Sequence, residues 1–361
     1  MNPSPADMHC GLDKTQAIVQ HILRHIPLPR RCAPDSKYSL TKPLVVGLSG
    51  PQGIGKTTIT NRLVSTLTGA PHHLRVFTFS MDDLYLPFKE QELLRETHLN
   101  NKLIEFRGLP GTHDLKLGSD TFRALCDANL SWYESENGQH VEGSKSRPIV
   151  PQPSYDKAAF SGRGDQVPKV QWKQEQGPFD VVLFEGWSLG FKSIRDRVHL
   201  RKTYEEAVGK GLYLAQHSLE SLEWIDNTLR KYERDWYEFM DIFVHLSAPN
   251  LSTIFKWREE QEKELWAKKG TGMSDEQVRE FVMRFMPAYE LYLERLKSEN
   301  VFSSSRSECL GSEEIDEVQG GGGDKDPKRE SSLLSALPFR GRHLRVDLDQ
   351  DRDLISTTLV E

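Results

Sequence analysis

Three observations predict an α/β fold with a doubly wound parallel sheet covered by helices on both faces. Short apolar or alternating runs, the mark of strands, take turns along the chain with segments of helical periodicity. The run "FDVVLFEG" at 179–186 is almost continuously apolar, as expected of a strand buried on both faces. In "VVGLSGPQGIGKTTITNRL", 45–63, another apolar run passes through a glycine-rich turn straight into a helical pattern.

The elements follow in order. "DKTQAIVQHILRHI", 13–26, sets Ile18, Val19, Ile22, Leu23 and Ile26 on one stripe of a helix that Pro27 and Pro29 stop. "PLVVGLS", 43–49, reads as a buried strand, with a helix from about Lys56. "LRVFTFS", 74–80, alternates as a second strand; "FDVVLFEG" is the third and "IFVHLSAP", 242–249, the fourth. Between them a helix starts at Ser218, with Leu219, Leu222, Ile225, Leu229, Tyr232 and Trp236 at three- and four-residue steps. "SDEQ", Ser274 to Gln277, is a capping box that opens another helix. "HLRVDLD", 343–349, alternates as a fifth strand. Residues 134–148 are polar and read as a surface loop. Residues 303–335, with four successive glycines and many charges, are too poor in apolar groups to offset ordering entropy and read as disordered. The organisation expected is an N-terminal helix and linker (1–41), a main domain (42–302), the 303–335 insertion, and a C-terminal strand (336–361) that completes the domain.

Of the 361 residues, 37% are hydrophobic and 28% charged, which suits a globular chain with a sizeable core. A net charge of −6 gives no electrostatic footprint for nucleic acid or an anionic membrane, and no apolar run reaches bilayer length. Cys10, Cys32, Cys126 and Cys309 are scattered without a CxxC pair, so neither a disulfide framework nor a zinc site is expected. With Asp7 and Asp13 in an N-terminus that has no apolar signal core, the cytoplasm is the default compartment, a nuclear fraction being left open.

Gly50, Gly55, Lys56 and Thr57 complete GxxxxGK[ST], a phosphate loop. Its backbone N–H groups, from Gly50, Pro51, Gln52, Gly53, Ile54 and Gly55 through Thr58, curl around phosphate oxygens with Pro51 contributing shape alone. The helix N-terminus adds its dipole. Lys56 supplies a point charge at the β/γ-phosphates and Thr57 a hydroxyl for Mg²⁺. Glu185, at the C-terminal edge of the third strand, is where an open α/β sheet binds ligands and is a candidate for holding Mg²⁺. The guanine-reading NKxD of GTPases is absent. After the second strand, "FSMDDLYLP" places Asp82 and Asp83 at the same edge. One of the pair can accept the proton of an alcohol under phosphorylation, or the pair can simply cap the turn that follows; the residues alone leave both open.

"GPQGIGKTT", "SMDDLYL", "RGLPGTHDLKLG" (107–118), "PSYDKAAFSGRGD" (153–165), "FEGWSLGF" (184–191) and "FKWREEQEKELWAKKGTGMSDEQVREFVMRFMPAYELYL" (255–293) resemble the plant- and fungal-type D-glycerate 3-kinases and the fungal ATP-dependent kinases related to them. These belong with phosphoribulokinase, uridine kinase and pantothenate kinase. The resemblance covers about 42–300 and resumes at "GRHLRVDLDQDRDL". It implies a P-loop kinase fold with a helical lid at about 250–272, ATP and Mg²⁺ as cofactors, Asp82 as base, and Glu185 with Thr57 on the metal. It implies Lys256 and Arg258 of the lid on the nucleotide phosphates, with Lys268 and Lys269 matching less closely. Asp83 and Tyr85, with Arg107, His113, Asp114, Tyr155, Lys157 and Arg163 of the two intervening motifs, are the candidate acceptor contacts. The N-terminal helix, the 134–148 loop and the 303–335 segment depart from the family pattern.

The expectation is an ATP-dependent kinase acting on a hydroxyl of a small polar acceptor, D-glycerate first, without nucleic-acid or membrane partners. The alternatives are a nucleoside or pantothenate-type acceptor, or a nucleotide-binding regulatory protein without turnover.

Overall fold

A computed structural model describes residues 13–26, 42–137, 146–303 and 341–361, the side chains at 133–137 and 269 excepted. The expected 303–335 insertion, apart from Ser303, lies outside the described residues, as do 336–340 and most of the 1–41 segment.

In chain order the principal elements are α1 (Lys14–His25), β1 (Leu44–Ser49), α2 (Lys56–Thr68), β2 (Val76–Ser80), α3 (Phe88–Thr97), α4 (Leu115–Asn137), β3 (Ile149–Gln152), β4 (Tyr155–Asp156) and β5 (Asp165–Gln166). There follow β6 (Lys173–Gln176), β7 (Val181–Gly186), α5 (Arg197–Lys210), α6 (Leu219–Asp235), β8 (Ile242–Ser247), α7 (Leu251–Lys269), α8 (Asp275–Met283), α9 (Met286–Ser298), β9 (His343–Leu348) and β10 (Leu354–Val360). The central sheet runs β10-β9-β8-β1-β7-β2. Its pairings are parallel except β9 with β10, which is antiparallel at the edge.

Side-chain alternation sorts the core into two layers. Val45, Phe77, Phe79, Val182, Phe184 and Phe243 face one side, where α4, α6 and α9 cover them with Phe122, Leu229, Trp236 and Tyr292. Leu44, Val46, Leu48, Val181, Leu183, Val244 and Leu246 face the other, under Ile18 and Ile22 of α1, Ile59 and Leu63 of α2, and Trp257 of α7. Each such buried side chain contributes about 1.5–3 kcal/mol over its exposed state. Because both layers are apolar, polar chemistry is left to the strand ends.

The capping signals act as their residues predict. Ser218 Oγ accepts from the Ser221 N–H, and Ser274 and Gln277 form the reciprocal box before α8. Two readings need correction. The polar stretch from 134 was expected to be loop, yet α4 continues to Asn137; helix propagation from a buried N-terminal half carries polar residues that show no periodicity of their own. The C-terminal segment, expected to supply one strand, supplies two: β10 adds an antiparallel edge to the otherwise parallel sheet, burying only Val360 and so carrying little apolar alternation. Among the described residues no helix is long and apolar enough to cross a membrane.

Candidate active site

The site floor is three neighbouring strand ends. β7 lies between β1 and β2 in register, so Glu185 sits opposite Leu48 on one side and Ser80 on the other, and Ser49 opposite Gly186. The parallel arrangement brings the turns after β1 and β2 to one edge, beside Glu185.

The turn after β1 is the phosphate loop. Ile54, 1% exposed, pins it to the core. Gly53 has φ +76°, and a Cβ there would meet the Trp257 backbone at 2.7 Å, so α7 packs directly on the loop. Gly55, at φ +94°, turns the chain into α2. Lys56 Nζ donates to the carbonyls of Gly50 (2.7 Å) and Pro51 (3.2 Å), folding over the loop it follows. Burial lowers its pKa, against the opposing pull of Glu185 and Asp82. Thr57 and Thr58 are exposed on the first turn of the helix.

The turn after β2 separates the two aspartates. Ser80 Oγ accepts from the Asp82 N–H at 3.1 Å, and Asp83 Oδ2 accepts from the Ser80 N–H at 3.0 Å, a capping box in which Asp83 is turned inward. Asp82 projects away from it, accepting from the Tyr85 phenol at 2.9 Å on Oδ1 and from Lys157 Nζ on Oδ2. Burial raises the Asp82 carboxyl, but the Lys157 ammonium, with Tyr85 and Lys56, outweighs it and holds the group below its ordinary range. Asp83 is pushed up to about 6 by burial, with the Asp82 charge adding to the rise. Burial also raises Glu185, against Lys56. Its Oε2 is buried without a hydrogen-bond partner among the described residues.

Two further loops close on this edge. Tyr85 stacks on His113 at 4.5 Å between ring centroids and meets Tyr155 edge-on at 5.5 Å. Burial drives the His113 imidazole down to about 3, so it is neutral. Its Nδ1 lies 2.7 Å from the Tyr232 hydroxyl, which accepts from the Gly111 N–H at 2.8 Å. Asp114 Oδ1 accepts from the Leu117 N–H at the start of α4. Arg107 donates to three carbonyls of the facing loop, those of Lys157, Gly162 and Arg163, and so ties it down. Tyr155 accepts from Gln91 at 2.8 Å, and Arg163 pairs with Glu92 and lies over the Phe106 ring.

Lys56, Asp82, Glu185 and Lys157 are thus gathered into one electrostatically coupled group. The α7 cations are engaged elsewhere: Arg258 with Glu262 at 2.7 Å, Lys256 at 3.9 Å from both Glu260 and Asp351, Lys268 at 3.8 Å from Glu264. The Lys269 side chain lies outside the described residues. Two residues at the phosphate loop escape sequence reasoning. The Tyr289 hydroxyl of α9 accepts from the Gln52 N–H at 3.3 Å and donates to Gln52 Oε1. Arg352, before β10, donates to the Gly53 carbonyl at 2.7 Å, pairs with Glu260 at 2.9 Å and lies over the Trp257 ring. Both sit inside segments that carry the family resemblance, but no local spacing ties them to a loop 237 and 299 residues away.

No protein-family model matches the chain. Over 268 residues it is 35% identical to the chloroplastic D-glycerate 3-kinase of Arabidopsis thaliana, covering 74% of this chain but only 52%, about half, of that relative. Over 291 residues it is 33% identical to the uncharacterised kinase mug58 of Schizosaccharomyces pombe, covering 80% of this chain and 92% of the yeast protein. A solved structure of D-glycerate 3-kinase from Cryptococcus neoformans var. grubii superposes with a TM-score of 0.70 at 30% identity, covering 96% of this chain and 98% of the other. The parallel sheet, its phosphate loop and the acidic strand ends define a P-loop kinase of the α/β class. Within that class, the chain belongs to the family of the D-glycerate 3-kinases and the fungal ATP-dependent kinases related to them.

Proposed function

We propose that the chain transfers the γ-phosphoryl group of ATP to a hydroxyl of D-glycerate, giving a phosphoglycerate. The observation that carries this reading is the convergence of one ammonium and two carboxylates, Lys56, Asp82 and Glu185, on adjacent ends of a parallel sheet. In it Lys56 exchanges the Gly50 and Pro51 carbonyls for phosphate oxygens. N–H groups of the loop bind the remaining phosphate charge. Asp82 takes the hydroxyl proton as the new O–P bond forms and the bond to the β-phosphate breaks, releasing ADP. Asp83 caps the turn that aims Asp82, and Glu262 holds Arg258 on the lid helix until nucleotide arrives.

Mg²⁺ fits the residues present. Glu185 keeps a buried, unpartnered oxygen and Thr57 an exposed hydroxyl, and Mg²⁺ needs only one or two protein oxygens beside substrate phosphates. Held by Glu185 and Thr57, such an ion would offset the negative charge of the phosphates during transfer. Tyr85, His113 and Tyr155 wall the acceptor space; Arg107, Asp114 and Arg163 shape it through the contacts they make with protein. We place the catalytic unit at 42–302 with 336–361, the segment 303–335 being an insertion, and favour the cytoplasm because the four cysteines are scattered.

The test is a coupled ADP-release assay across D-glycerate, L-glycerate, pantothenate, uridine and ribulose 5-phosphate. Saturable turnover is expected with D-glycerate. Turnover with uridine or pantothenate, and none with D-glycerate, would overturn the acceptor and leave the kinase standing.

A further inference from the structure

Both oxygens of Asp82 are occupied in the structure, Oδ1 by the Tyr85 phenol and Oδ2 by Lys157. Each oxygen keeps a second lone pair for an acceptor hydroxyl, but an oxygen paired with an ammonium is a weaker proton acceptor than one released from it. Tyr85 cannot move readily: it is 4% exposed and held between the stacked His113 ring and the edge of Tyr155. The Lys157 side chain is 55% exposed on a flexible stem, so it is the partner free to go. Its backbone is the opposite. Arg107 donates to the Lys157, Gly162 and Arg163 carbonyls, anchoring the loop while the ammonium swings.

An ammonium will not leave one carboxylate for water without cost, but it will exchange one carboxylate for another. We propose that Lys157 is an exchangeable partner that selects acceptors bearing a carboxylate. In the resting enzyme it occupies Asp82. A hydroxy acid offers its own carboxylate, draws the ammonium across, and frees Asp82 Oδ2 for the hydroxyl proton. An uncharged polyol offers no such anion, so Lys157 stays on Asp82 and the base remains weakened. This inference rests on the reading of D-glycerate as acceptor and adds to it the reason that uncharged alcohols are refused. Lys157 touches the base and the acceptor, and its exchange couples their binding to proton transfer.

The experiment compares kcat and KM for D-glycerate and for glycerol in the wild type, Lys157→Met and Lys157→Arg, with thermal melting to verify folding. The wild type should favour D-glycerate over glycerol by about 100-fold or more in kcat/KM. Lys157→Met should reduce that ratio at least about tenfold, by raising KM for D-glycerate while glycerol turnover holds or rises. Lys157→Arg should restore part of the preference. Lys157→Gln replaces the methionine variant if that one fails to fold. A wild type active on D-glycerate whose preference survives the loss of Lys157, or a variant that slows both acceptors equally, overturns the inference alone. A wild type that turns over neither acceptor fails the D-glycerate reading, and the inference falls with it.

Discussion

The phosphate loop and the two loops that face it, 107–114 and 155–166, meet at the same sheet edge but are built on opposite plans. The phosphate loop keeps its chemistry open. Its hydroxyls at Thr57 and Thr58 are exposed, and its one cation, Lys56, donates to carbonyls of its own loop. The facing loops spend their chemistry on one another and on the helices beneath them. Arg107 binds backbone carbonyls, Arg163 pairs with Glu92, Asp114 caps α4 and His113 meets Tyr232. Among the described residues of these loops, Lys157 alone reaches across to a carboxylate of the other half of the site. A phosphate binder can be made by a dozen consecutive residues, because backbone N–H groups and one helix terminus do most of the binding. An acceptor pocket must be assembled from separate strands and loops, so most of its polar residues go to assembly.

That contrast can be broken by substitution. Lys56→Ala should lower kcat by about 10³-fold with an unchanged melting temperature, because its charge serves phosphates and not packing. Near-normal turnover would remove the phosphate loop from the account. Asp82→Asn should cost about 10²-fold in kcat with little change in ATP affinity, since the amide keeps the shape and loses the basicity. Asp83→Asn, by contrast, should leave kcat within about threefold, because the amide oxygen still accepts from Ser80. If Asp83→Asn were the damaging one, the roles of the pair would be reversed.

The facing loops should respond differently. Arg107→Ala releases three carbonyls without removing a reacting group, so we expect KM for the acceptor to rise about tenfold while KM for ATP stays put. An equal rise in both would show that Arg107 serves the nucleotide. Acid should also weaken the packing of these loops. His113 is depressed to about 3 when folded, so the unfolded chain binds its proton more readily. Its stabilising contribution is present above about pH 6.5 and declines as pH falls below it, by about 1.4 kcal/mol between pH 7.5 and 5.5. Melting at the two values should shift less in His113→Gln than in the wild type. Equal shifts would show that His113 protonates freely in the folded protein.

The same contrast explains what could be read from the chain itself. Gly50 to Thr57 is legible because the fold needs those residue types in consecutive positions, β1, β7 and β8 because strands buried on both faces are written as apolar runs, and β2 because its buried face alternates with a half-buried one. β10 escapes because an exposed edge strand needs no such pattern. In "SMDD" the residues left the base and the cap unresolved, and the capping box assigns the capping bond to Asp83. Arg107 and Arg163 look like anion binders in the sequence, yet their partners, backbone carbonyls and Glu92, lie at separations that no spacing rule anticipates. Tyr289 and Arg352 are hidden for the same reason.

The most direct test of the whole account is ³¹P NMR of the chain incubated with MgATP and D-glycerate. The account predicts loss of the γ-phosphate resonance in step with growth of a phosphomonoester of glycerate, abolished in Lys56→Ala. Growth of inorganic phosphate alone, with no glycerate ester, would contradict it.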